Sequence, residues 1–289
     1  MDTNIKYLVD NGINIWNKDA YNYFKSQLSG EWYELKNLTL KDFIEAIKNN
    51  ETGYNFDNYV LGDLGRVYGA QWRDWQCKDN FGVTWFKDQI SNLIKGLKET
   101  PMGTKHIVTA WNPAELDDMA LPPCHWSFEI LVEPLSKTEI LMKLYEGVSF
   151  SDMNFQNPNP NKNVPRYKFT LKWHQRSVDT FLGLPFNIAS YATLAHIIGK
   201  MTNMVPKAII GDLSNVHIYE NHLDAVKEQL SRDLNKHGKC ELNISSLGLN
   251  NLEHNKINTC LDNLNIDNFQ LDNYKSYPAI KAKMLAYDN

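Results

Sequence analysis

Two short stretches of this 289-residue chain hold residue types that a packed core does not need. Residues 121–125, L-P-P-C-H, set a cysteine behind two prolines and ahead of a histidine, a stiff presentation suited to a nucleophile. Residues 175–191, Q-R-S-V-D-T-F-L-G-L-P-F-N-I-A-S-Y, collect a guanidinium, a carboxylate, glycine and proline breaks and an amide. A thiol of ordinary pKa, ~8.5, is mostly protonated at neutral pH and attacks carbon only where a cation favours the thiolate. Arg176 is the candidate cation for Cys124. Cys77, Cys240 and Cys260 read as ordinary packing residues, and none of the four cysteines has metal-like spacing.

The elements that must carry these stretches are legible in part. Apolar residues recur at helical intervals over 4–28, Thr39 is a plausible N-cap for an amphipathic run, and Ile90, Leu93, Ile94 and Leu97 predict a helix over 86–99. Polar residues 49–58 read as a loop. Residues 106–111 and 127–133 read as strands on either side of the cysteine, 168–174 as a strand feeding the second stretch, and about 186–201 as a long helix. A short strand over 216–219, a helix over 222–232 and a final strand from Tyr277 follow. Turn formers without periodicity mark 134–167 as an inserted surface loop, and Asn, Lys and Gly dominate 233–267.

With 43% hydrophobic residues the chain can bury a substantial core, and it reads as one domain. A net charge of −4 and a pI near 6.1 give no global attraction to nucleic acid or an anionic membrane, so any phosphate must meet a local site. No apolar run reaches the ~20 residues a bilayer span requires, no secretory signal opens the chain, and the cysteines suit a reducing cytoplasm, or a host's if the gene is a phage's.

In one order the chain carries D-T-N-I-K-Y-L (residues 2–8), I-W-N (15–17), G-D-L-G-R-V-Y-G-A-Q-W-R (62–73), A-W-N-P-A-E-L-D-D-M-A-L-P-P-C-H-W (110–126), the 175–191 stretch, H-I-Y-E-N-H (217–222) and Y-P-A-I-K-A-K-M (277–284). Together these resemble the folate-dependent thymidylate synthases, and the chain is similar to phage-like members of that family. The resemblance implies an α+β fold, a mixed β-sheet packed against helices, and a homodimer formed through the sheet. It further implies reductive methylation of dUMP to dTMP with 5,10-methylenetetrahydrofolate as co-substrate, no metal, and no need for a nucleic acid or membrane partner.

Residue by residue, the resemblance makes Cys124 the nucleophile at C6 of the pyrimidine and Arg176 the phosphate ligand that lowers the thiol pKa. Asn187 matches the residue reading the uracil edge at N3 and O4. An amide supplies the donor and the acceptor that edge needs, although an asparagine near a helix start is also a natural cap. Ser177 matches a further phosphate contact, Gln175 a substrate-side residue, and His217 and Tyr219 the ribose-binding pair. Tyr68 matches the tyrosine that helps remove the C5 proton through water, while a tyrosine in a V-Y-G turn can equally be structural. Ile15, Trp16, Leu121, Gly183 and Phe186 match the folate walls and Asp179 the pterin acceptor; for Trp16 and Phe186 the plain alternative is core packing.

Departures from the family are also legible. Thr104 and Lys105 stand where a pair of arginines is usual, and Lys105 offers a point charge without a planar fork. The strand before Gln175 reads L-K-W-H in place of small or uncharged residues, and Tyr287, Asp288 and Asn289 extend the tail. An N-terminal region with a phosphate loop, its arginine and a catalytic glutamate has no counterpart in the sequence. Two other functions therefore stand beside the first: a pyrimidine-nucleotide 5-hydroxymethylase, and an inactive paralogue or fragment that binds nucleotide.

Overall fold

The computed structural model describes residues 3–56, 59–146, 163–245 and 256–283. Contacts group the chain into two compact units, one of Met1–Gln89, Thr109–Trp126 and Ala282–Asn289, the other of Ile90–Val108 and Ser127–Lys281.

The first unit is mainly helical: α1 (Lys6–Asp10), α2 (Asn17–Gln27), α3 (Leu40–Lys48), the short α4 (Gly69–Arg73) and a hairpin of β1 (Trp75–Lys78) and β2 (Thr84–Lys87). The helix expected over 4–28 is broken in two, because Gly12 at φ +72° turns the chain in a way a continuing helix does not permit. Thr39 does cap α3, accepting from the Asp42 amide while Asp42 reaches back, a complete capping box. Ile5, Val9, Phe24, Phe43, Ile47, Phe56 and Leu64 close one core.

The second unit contains α5 (Gln89–Glu99), a four-stranded sheet, and the helices against it. Strand order is β3 (Ile107–Thr109), β4 (His125–Pro134), β5 (Tyr167–Gln175) and β7 (Val205–Leu213), where α6 (Lys137–Leu144) follows β4 and both β6 (Val178–Asp179) and α7 (Gly183–Thr202) precede β7. β5 pairs with β7 in parallel, and so does Val178–Asp179 with Val216–His217, whereas β1 with β2 and Glu241–Ile244 with Phe269–Asp272 pair antiparallel, so the α+β class with mixed pairing holds. Along β5 the burial alternates, with Phe169, Leu171 and Trp173 facing inward, and Trp173 stacks on Tyr191 of α7 at 5.2 Å. Gly211 lies opposite Trp173 because a Cβ there would stand 2.5 Å from the indole. The chain ends through β8 (Val216–His217), α8 (Leu223–Leu230), β9 (Glu241–Ile244), α9 (Ile257–Asp262) and β10 (Phe269–Asp272).

Three further expectations need correction, and one strand was not expected. The 134–167 segment is not a plain loop: Ser136 and Glu139 form a capping box that starts α6, and residues 147–162 lie outside the described residues. The helix expected from residue 86 starts at Gln89, since Phe86 instead pairs with Gln76 across the β1–β2 hairpin. The final strand is β10, paired with β9, and no strand forms from Tyr277 to Lys283. β7 was not foreseen at all, and it is the parallel neighbour that buries β5. Tail residues 287–289 lie outside the described residues.

Candidate active site

In the first unit the 62–68 turn and the 116–124 segment are locked together. Gly65, at φ +75°, bridges to Met119, and a Cβ on it would lie 2.1 Å from the Asp118 carbonyl oxygen, so only glycine fits. The chain then enters Tyr68, the residue before α4, at φ +32° and ψ −87°, a conformation that costs a non-glycine residue about 1–3 kcal/mol. The strained turn delivers the phenol to the cysteine: Tyr68 Oη accepts the Cys124 backbone N–H at 3.0 Å. The Tyr68 ring stacks on His125, centroids 4.1 Å apart and planes 16° apart, and meets the edge of Trp16 at 6.2 Å. Burial pushes the His125 imidazole down to about 4, so it is neutral at neutral pH. Cys124 is a half-buried cysteine in the reduced state, and Ile15 and Leu121 are half-buried too.

In the second unit, Gln175 ends β5 facing inward and is 3% exposed, with its Nε2 donating to Asn187 Oδ1 at 3.1 Å and to the Ser177 carbonyl at 3.0 Å. Its Oε1 accepts from Trp173 Nε1 at 3.1 Å. This bond fixes the orientation of the Asn187 amide, placing its Oδ1 against Gln175. Asn187 does not cap the helix: α7 begins at Gly183, with Leu182 at the cap. Parallel pairing of β6 with β8 sets Asp179 beside His217. Asp179 Oδ1 accepts the Phe181 and Leu182 N–H groups at 3.1 and 3.2 Å, whereas its Oδ2 is buried with no hydrogen-bond partner among the described residues. The strand expected over 216–219 is only Val216–His217, yet the His217 and Tyr219 rings meet edge to face at 5.1 Å. Arg176 and Phe186 are exposed, Gly183 is half-buried, and Lys105 is exposed in the turn before β3.

The thymidylate synthase family model matches residues 1–286, across both units. The chain belongs to the thymidylate synthase family. It is 37% identical over 284 residues to the thymidylate synthase of Malacoplasma penetrans, covering 98% of this chain and 77% of that one. The Mesoplasma florum thymidylate synthase is 40% identical over 231 residues, 80% of this chain, and the match spans 63% of the relative's length. Among solved structures, the thymidylate synthase of T4 phage superposes with a TM-score of 0.58 at 34% identity, covering 94% of this chain and 82% of that one.

Within this family member the structure gathers Cys124, Tyr68 and Trp16 in one cluster and Gln175, Asn187 and Ser177 in another. The L-K-W-H departure is accommodated by the neighbouring strands, since Lys172 and His174 both lie within 4 Å of the carboxylates of Glu129 on β4 and Asp212 on β7. Sequence reasoning missed His222, fully buried between Phe181 and Tyr219 at 5.5 and 5.6 Å, and a polar network around Glu115. Both lie inside quoted motifs, but no periodicity marks residues that meet partners dozens of positions away.

Proposed function

We propose that this chain catalyses the reductive methylation of dUMP to dTMP. The observation that carries the reading is the Tyr68 hydroxyl on the Cys124 amide, which sets the proton-handling phenol beside the nucleophile. Cys124 adds to C6 of the uracil, and the displaced electron pair moves towards C5 and O4, where a donor already in place stabilises it. The Asn187 amide is that donor, held in orientation by Gln175. Arg176 holds the phosphate with Ser177, favours the Cys124 thiolate, and is assisted by Lys105 as a point charge; His217 and Tyr219 take the deoxyribose. Tyr68 then relays the C5 proton through water, with His125 remaining neutral against its ring.

Bound 5,10-methylenetetrahydrofolate supplies the one-carbon unit and the hydride. The unpartnered Asp179 Oδ2 fits such a ligand, because a buried carboxylate oxygen needs a donor and a pterin offers N–H groups. As Oδ1 already serves two backbone amides, Oδ2 is the primary contact. Ile15, Trp16, Leu121, Gly183 and Phe186 form the apolar walls. In keeping with the family, the protein acts as one domain and as a cytoplasmic homodimer joined through the sheet, where Ile107, Leu131 and Ile210 are about half exposed on β3, β4 and β7. Among the described residues no helix is long and apolar enough to cross a membrane.

The test is mass spectrometry of products after incubation with dUMP and 5,10-methylenetetrahydrofolate, beside a Cys124→Ser control. Formation of dTMP and dihydrofolate by the wild type alone is the expected result. Hydroxymethyl-dUMP with tetrahydrofolate assigns the hydroxymethylase reaction instead, and no product refutes both.

A further inference from the structure

The turn that carries Tyr68 is strained, and packing does not hold it on one side. A cavity of about 410 Å³ opens against it, lined by Gly65, Arg66, Gly69, Ala70, Arg73 and Asp74 among others. What closes the turn is a polar staple. Gln71, fully buried, donates from Nε2 to the Arg66 carbonyl at 2.9 Å, spanning Tyr68. The Arg66 guanidinium reaches forward to Asp74, with Nη1 at 3.3 Å from its carboxylate and Nη2 donating to its carbonyl. Both arms of the staple end on one oxygen: Glu115 Oε2 accepts from Arg66 Nε at 2.9 Å and from Gln71 Nε2 at 2.5 Å. Glu115 is 9% exposed and is itself set by its N–H bond to the Asn112 carbonyl, while Asn112 Nδ2 donates to Gln71 Oε1 at 3.2 Å.

We propose that Glu115 is a positioning residue that, by anchoring Arg66 and Gln71 together, holds Tyr68 in its positive-φ backbone conformation and so keeps the phenol oxygen on the Cys124 amide. A residue in an unfavourable φ,ψ region stays there only when its surroundings over-determine it. Two charge-assisted bonds on a buried carboxylate supply that constraint. Relaxing the staple lets Tyr68 return towards an ordinary conformation, which withdraws its hydroxyl from Cys124. The catalytic part of this inference rests on the proposed reaction; the geometric part does not.

The experiment separates the two. Selective 15N labelling of cysteine gives four amide resonances, of which Cys124 is assigned by the Cys124→Ser variant. In the unliganded full chain, Glu115→Gln is expected to lower Cys124 amide protection by ~10-fold or more, since a hydrogen bond is lost in the ground state. Tyr68→Phe should match it, and Cys260 should not change. Unchanged Cys124 protection in Glu115→Gln overturns the proposal whatever the enzyme does. In turnover, kcat should fall ~10–100-fold with KM for dUMP unaltered, the effect expected of a misplaced group. The kinetic isotope effect with 5-deuterated dUMP should rise, and Glu115→Gln should add nothing in a Tyr68→Phe background. Multiplicative losses, or an unmoved isotope effect, reduce Glu115 to a structural residue and refute the positioning role. Arg66→Lys, at a half-exposed site, repeats the measurements should Glu115→Gln fail to fold. A wild type that forms no dTMP refutes the proposed reaction and leaves the amide-exchange result to decide the geometry.

Discussion

Acid should destabilise this protein through His125 well above the pH at which most carboxylates protonate. The imidazole lies face to face on Tyr68, and burial depresses its pKa from 6.5 to about 4. The unfolded chain takes up a proton as pH falls through ~6.5, while the folded chain refuses it until about 4. Between those limits the unfolded state binds more protons, so stability rises with pH and is lost on acidification. The separation between 6.5 and about 4, at ~1.4 kcal/mol per unit, amounts to roughly 3 kcal/mol, most of it lost between pH 6.5 and 4.5. His196 is also shifted down by burial and by Lys200, so a variant rather than the wild-type profile alone must isolate the effect. His125→Phe keeps a flat ring against Tyr68 and cannot titrate. Urea unfolding, followed by tryptophan fluorescence from pH 8 to 4, should show wild type losing stability relative to His125→Phe by that amount. Parallel stability curves across the whole range would refute the neutral imidazole stacked on Tyr68.

Tyr68→Phe retains the stack on His125 and removes the acceptor of the Cys124 N–H, so it should cost about 1–2 kcal/mol in unfolding free energy, measured by urea titration. Its kcat should fall far more, by ~10²–10⁴-fold, because a proton-transfer group is lost; near wild-type turnover would make Tyr68 a structural residue. Asp179→Asn should spare the turn into α7, since an amide oxygen can still accept from Phe181 and Leu182. Replacing Oδ2 by NH2 should weaken folate binding by ~10–100-fold without changing dUMP affinity, both read by calorimetry. Equal losses for both ligands would place Asp179 outside the folate contact.

What could be read from the sequence was local. Thr39 and Asp42 lie three residues apart, a spacing that by itself closes a capping box, and the α3 helix follows from it. The strict alternation of β5 and the helical spacing in α5 likewise sit within a single window, and the chemistry of Cys124, Arg176, Asp179 and Asn187 was visible in their motifs. Ser136 and Glu139 carried the same capping signal for α6, outweighed on paper by the turn formers after it. Partners distant in sequence were decided by the tertiary structure alone. β7 becomes a strand because β5 offers it a ladder, and β10 because β9 does, whereas Tyr277 to Lys283 find no strand to pair with. The positive-φ Tyr68 and its hold on Cys124, 56 residues away, depend on contacts that no periodicity encodes. A hydrogen bond of that kind needs two backbone paths to converge within 3.0 Å, and that convergence exists only once the core around them has closed.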